Sequence, residues 1–190
     1  MKKTLIALCC VVMIIFCIGA LPDSLTGAST IVSYEHHEIH GGSHYVTTDY
    51  DTDVDILGPK YWHIITADST KQVHLIVNFY ADGAGVWELY ENPTTTGNGT
   101  GLAEINSNRT SASTATAQVF YDATLGTAGT LLWKVYLGEL VNPANNTGGS
   151  GGRGHEFVLK ENEQYLIKFT PAADNTLAGV ELVWYEHAPR

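Results

Sequence analysis

Beyond residue 17 the chain has no cysteine: its three, Cys9, Cys10 and Cys17, all fall in the first apolar stretch. The rest therefore carries no disulfide and no thiol chemistry, whatever compartment it occupies. Basic residues are scarce too, with 10 Lys and Arg against 20 Asp and Glu for a formal net charge of -10. A surface of that sign repels phosphate backbones, so no nucleic-acid partner is expected. No window holds a sustained 3.6-residue apolar period with caps, which argues against long amphipathic helices. Also missing are a nucleophile-elbow serine, a phosphate-cradling glycine motif ahead of a helix, and paired carboxylates placed by a recognisable motif. Their absence makes an enzyme the least expected class, its one candidate a metal-dependent catalyst at His36, Glu38 and His40, and no cofactor is expected.

The one long apolar run, Leu5–Ile18, follows the basic Lys2-Lys3 and precedes the small residues Gly19-Ala20. Residues 1–20 thus read as a signal-like segment, short for a membrane span of roughly 20 apolar residues. Membrane contact is expected only through this segment, if it is retained. Residues 21–30 form a turn-rich lead, and 31–190 read as a single domain.

What that domain has in quantity is short alternating segments. Gln72–Tyr80 is the cleanest, with Val73, Leu75, Val77 and Phe79 on one face. Lys60–Thr66, Val86–Glu91, Ala117–Tyr121, Leu131–Leu137, His155–Leu159, Gln164–Thr170 and Gly179–His187 also read as strands. Ile31–His40 and His44–Tyr50 are expected to form a hairpin about Gly41-Gly42. Asn92–Gly101 and the glycine-rich Asn142–Gly154 read as loops, and Leu102–Ile105 as a weak strand. The expected fold is all-β: an antiparallel β-sandwich, jelly-roll-like, which buries half-apolar strands while limiting free edges. Its expected core is Val73, Leu75, Val77, Phe79, Trp87, Trp133, Ile167 and Trp184.

Two polar constellations could carry chemistry. In an extended strand His36, Glu38 and His40 would share one face and offer imidazole and carboxylate ligands to a transition metal. The spacing matches no specific motif, and structural or surface roles are the first reading. Asp49, Asp51, Asp53 and Asp55 repeat every second residue and, gathered in a loop, would suit calcium. The series is not an EF-hand, because Ile56 stands where a glycine is required, and a solvated acidic loop is the first reading there. No tightly bound metal is therefore expected. A set of aromatics (Tyr45, Tyr50, Tyr61, Trp62, Tyr80, Tyr90, Tyr121, Tyr136) is expected on exposed faces, where flat rings can stack on sugars or simply pair across strands. The tripeptide Tyr34-Glu35-His36 returns as Tyr185-Glu186-His187. The first and last strands are expected to be neighbours, with Glu35 facing His187 or His36 facing Glu186.

The runs Tyr34-Glu35-His36-His37-Glu38-Ile39-His40-Gly41-Gly42-Ser43-His44-Tyr45 and Gly58-Pro59-Lys60-Tyr61-Trp62-His63-Ile64 resemble a family of small tailed-phage proteins. So do Trp87-Glu88-Leu89-Tyr90-Glu91-Asn92-Pro93, Leu159–Thr170 and the closing Trp184-Tyr185-Glu186-His187. The similarity runs from about Asp23 to His187. It implies a non-enzymatic virion component, capsid-associated as a decoration or head-fibre protein, whose partners are other copies of itself or a capsid protein lattice. The apolar leader departs from that pattern and keeps open a secreted or cell-surface sandwich that binds glycans or forms a filament.

Overall fold

The computed structural model describes residues 21–22, 29–30, 34–138, 147–150 and 156–188. The signal-like segment 1–20 lies outside them. Strands β1 (Leu21–Pro22) and β2 (Ser29–Thr30) form a two-residue antiparallel ladder within the lead.

The expected hairpin strand Ile31–His40 is instead a helix, α1 (Tyr34–Gly41). Its run of Glu and His contains one β-branched residue, Ile39, and glutamate is depleted from strands but favourable in helices. The pair Gly41-Gly42 ends this helix rather than turning a hairpin. The Gly42 N–H donates to the Ile39 carbonyl (3.1 Å) and the Ser43 N–H to the Glu38 carbonyl (3.0 Å). With Gly42 at φ 73°, these two bonds are a Schellman cap.

Strands then alternate between two sheets. They are β3 (His44–Val54), β4 (Lys60–Ile65), β5 (Gln72–Ala81) and β6 (Gly85–Glu91). The stretch 92–101 is not a plain loop. It contains β7 (Thr94–Gly97) and β8 (Thr100–Gly101), followed by β9 (Ile105–Asn106), β10 (Gln118–Tyr121) and β11 (Thr124–Thr127). After β12 (Thr130–Leu137) come β13 (Thr147–Ser150), β14 (Phe157–Leu159), β15 (Gln164–Pro171) and β16 (Thr176–His187). Part of the glycine-rich 142–154 is thus a strand, since β13 pairs with Asn78–Ala81 of β5, and β14 pairs with Val73–Leu75 beside it.

One sheet runs β12-β6-β15-β4-β10-β8 and the other β13-β5-β16-β3-β9, all antiparallel. Take the principal strands in chain order as β3, β4, β5, β6, β12, β14, β15 and β16. The first lies beside the last, then the third and sixth, while the second lies beside the seventh, fourth and fifth. This is the strand order of a jelly roll, and the domain is an all-β sandwich.

The inner faces meet through aromatics. Phe79 of β5 packs 5.1 Å from Trp87 of β6, and Trp87 stacks on Trp62 at 5.7 Å. On the other sheet Tyr45 stacks on Trp184 at 5.7 Å. Of the expected core, Val73, Leu75, Phe79, Trp87, Ile167 and Trp184 are buried, while Val77 and Trp133 pack against the core from partly exposed positions. Tyr45 and Trp62, read as exposed aromatics, belong to this core instead. Both point inward because β3 and β4 set alternate residues toward the facing sheet. Among the described residues no helix is long and apolar enough to cross a membrane.

Candidate functional site

One end of the sandwich gathers α1, the start of β3, the start of β5 and the end of β16. Cross-strand register sets His44, Tyr185 and His74 in a row on the outer face. His74 stacks on Tyr185 and on His187, each at 4.6 Å. Its Nδ1 lies 2.5 Å from Glu156 Oε1, and the Tyr185 hydroxyl donates to the same oxygen at 2.6 Å. His44 is buried; its Nδ1 bonds Ser107 Oγ at 2.7 Å, and its Nε2 lies 3.7 Å from Glu35 Oε1. Burial lowers the His44 pKa below the ordinary imidazole value, and the nearby Glu35 and Glu38 offset only part of that.

Ser107, His44 and Glu35 have the composition of a nucleophilic triad. The carboxylate contact exceeds hydrogen-bond length, however, so Glu35 does not fix the ring as an orienting acid would. The arrangement instead ties the loop after β9 to β3.

The inner face of the same end is held by Glu186. Its carboxylate accepts from Thr116 N (2.9 Å), Thr116 Oγ1 (2.8 Å), Ala117 N (3.0 Å) and Trp184 Nε1 (3.1 Å). Those donors replace water around a charge that would otherwise be costly to bury. Sequence reading missed Ser107, Thr116 and Glu156, whose partners lie tens of residues away with no local pattern to flag them.

The repeated tripeptides do not pair as expected. The terminal strands β3 and β16 are neighbours, and the Glu186 N–H donates to the Ser43 carbonyl at 2.9 Å. But Tyr34-Glu35-His36 sits on the helix. Glu35 therefore faces His44, and His36 faces His40, while His187 stacks on His74.

The metal candidates also separate. On α1 His36 and His40, four residues apart, bring their Nε2 atoms to 2.9 Å on the exposed side. Glu38 points the other way, buried, taking a hydrogen bond from Ser43 Oγ and lying beside His37. A helix places residues i and i+4 together and i+2 opposite, whereas an extended strand would place all three on one face.

The four aspartates lie on β3 and just past it rather than in a gathered loop. Asp49 accepts from Trp62 Nε1 (2.8 Å), Asp51 pairs with Lys60 (3.1 Å), and Asp55 accepts from Asn175 N (3.1 Å). Asp53 is exposed, its N–H donating to Asp51 Oδ1. Among the described residues no group of three His, Cys, Asp or Glu could hold a metal ion.

Lys60 is buried between Asp51 and Asp122 (2.7 Å), beneath the Tyr121 ring. Burial alone would lower its pKa, yet Asp122 and Asp51 together hold it above the ordinary lysine value. Burial would likewise raise Asp51, but hydrogen bonds from Lys60 and the Asp53 backbone hold it below the ordinary carboxylate value. A depressed carboxyl contributes stability that is complete above its unfolded pKa of about 4 and is lost as pH falls through the folded pKa. Acid unfolding monitored by fluorescence should therefore show a shallower fall below pH about 4 in Asp51→Asn than in the parent. Equal slopes would contradict the assignment.

The third surface is the β12 side. Lys134 and Lys168 flank Glu88 at 2.9 and 3.2 Å across β12, β6 and β15. Burial would raise the Glu88 carboxyl, but hydrogen bonds from the two lysines hold it below its ordinary range. Beyond β12 no strand pairs among the described residues. Leu131, Leu132 and Tyr136 are 47, 41 and 44% exposed on this edge. The other sheet ends in β13 with β14 on one side and, on the other, in β9, which pairs only with Tyr45 and Val46 of β3. Among the described residues the longer free edges are thus β12, which is apolar, and the stretch 47–54 of β3, which carries Asp49, Asp51 and Asp53. An unpaired edge of this kind presents backbone N–H and C=O groups to a partner.

On the outer face of the other sheet Tyr50, Gly179 and Tyr80 lie in one cross-strand row. A Cβ at Gly179 would stand 2.4 Å from the Tyr80 ring, so the glycine is what lets that ring lie across the strand. Compared with protein-family models, with curated proteins and with solved structures, the chain matches none.

Proposed function

We propose that the chain is a non-enzymatic structural subunit of a phage-like virion, associated with the capsid in the manner of a decoration or head-fibre protein. It docks through the β12 edge on other copies of itself or on a capsid protein lattice, needs no cofactor, and avoids nucleic acid through its net negative charge. The observation that carries this reading is the apolar β12 edge, which no strand pairs among the described residues. The resemblance to tailed-phage virion proteins supplies the kind of lattice.

Mass spectrometry of purified particles from a host carrying the gene tests it, with sequencing of the mature N terminus. The chain should be present at a fixed ratio to the major capsid protein. Its absence from particles, with the chain recovered in the medium or on the cell surface, would overturn the virion reading.

A second reading, a secreted sandwich that binds glycans, is favoured by the exposed Tyr50 and Tyr80 row over Gly179. Next to that row stand Glu181 and Asn78, joined by a 2.8 Å hydrogen bond. Aromatic faces beside planar polar groups suit a pyranose ring. A glycan array binding the parent chain but not a Tyr80→Ala variant would favour this reading over the first.

A further inference from the structure

We infer that β12 pairs antiparallel with β12 of a second copy, about a two-fold axis at Val135. This rests on the docking reading above and names the occupant of that edge.

The length of strand free to pair is set by two local features. On the ladder with β6, Leu131 is opposite Tyr90 and Trp133 opposite Leu89, so Leu132 is an inserted residue and the ladder bulges there. At the other end Gly138 takes φ 92° and stops the strand. The regular run is therefore Trp133–Leu137, and its midpoint is Val135. An antiparallel self-pair gains the most backbone hydrogen bonds when these five residues overlap completely. That puts Val135 opposite itself, Trp133 opposite Leu137 of the second copy, and Lys134 opposite Tyr136 of the second copy.

The side chains fit the same register. Trp133, Val135 and Leu137 are only partly buried at the rim of the core. In the pair each would gain an apolar neighbour directly across the strand, the usual unit of sheet stabilisation. On the outer face Lys134, already drawn in by Glu88, would meet the exposed Tyr136 ring, a cation against an aromatic face. Moving the register by two residues one way sets Lys134 against Lys134 of the second copy and runs into the bulge. Moving it two residues the other way shortens the ladder and exchanges the lysine–tyrosine pairs for a tyrosine–tyrosine one. One register thus satisfies backbone length, apolar contact and charge together. A five-residue ladder is smaller than a standard interface, so the dimer should be weak and concentration-dependent, suited to a subunit that makes several contacts.

Sedimentation velocity of the full chain over a concentration series provides the test, with two variants at the exposed Tyr136, where folding is not at stake. Tyr136→Lys places two like-charged pairs across the axis and should weaken dimerisation roughly tenfold. Tyr136→Glu places opposite charges there and should leave it equal or tighter, with the gap between variants closing at high salt. In a chain with Cys9, Cys10 and Cys17 replaced by serine, Val135→Cys should form an intermolecular disulfide on mild oxidation and Lys134→Cys should not. A chain that stays monomeric throughout, or a dimer indifferent to the sign at position 136, would overturn the pairing. A monomeric chain found in particles would leave the virion reading standing with a different occupant on the edge. A dimer of this register absent from particles would do the reverse.

Discussion

Replacing Glu186 by alanine is expected to cost about 3–5 kcal/mol of folding stability. Glu186 is 1% exposed, and its carboxylate accepts from four donors. Removing it leaves the Ala117 N–H and the Trp184 indole N–H buried without an acceptor, each a penalty of about 1–3 kcal/mol, and opens a cavity beside them. Glu186→Gln keeps the shape and one acceptor oxygen but turns an NH2 group toward donors, and should cost about half as much. Chemical denaturation gives the stabilities, and amide exchange at 116–117 should rise in both variants. A loss under about 1 kcal/mol for the alanine variant would mean that the loop is held by something other than this carboxylate.

The second large effect separates two residues that face each other across β16 and β5. Leu182 is opposite Val77 in the register, yet Leu182 is fully buried and Val77 only partly so. Leu182→Asp places a charge with no partner between the sheets and should cost about 4 kcal/mol or more, enough to leave the chain unfolded at room temperature. Val77→Asp lies near the rim, where the new carboxylate can reach water, and should cost about 1–3 kcal/mol. Circular dichroism and urea melts distinguish the outcomes. Equal losses at the two positions would contradict the burial difference between them.

The sandwich was legible in the sequence because its strands carry their own period. Val73, Leu75 and Phe79 alternate with His74 and Asn78, and burial on one face follows directly from that spacing. Wherever backbone geometry rather than hydropathy decides, the reading failed. Tyr34–Gly41 contains too few apolar residues to show a helical stripe, and Gly41-Gly42 serves equally as a hairpin turn or a helix cap. Only the left-handed Gly42 and the two bonds around it distinguish the two. The metal candidates followed the same error, since a strand would align His36, Glu38 and His40 while the helix divides them.

The aspartate series was misread for another reason. Asp49 and Asp51 find Trp62 and Lys60 on the facing sheet, partners that no local window contains. The β12 edge is legible only in part. Leu131–Leu137 announces a strand, but that the strand ends its sheet is a property of the whole strand order, and sequence alternation is the same for edge and centre.

Docking through β12 is the central claim, and amide hydrogen exchange along that strand tests it most directly. In the free chain at low concentration, the backbone amides of residues 133–137 that face away from β6 should exchange quickly, since no strand among the described residues covers them. In the assembled particle the same amides should become protected, while those of β5 and β16 in the opposite sheet stay as they were. Unchanged fast exchange at 133–137 in particles that contain the chain would contradict the account, because the edge would then be as open in the assembly as in solution.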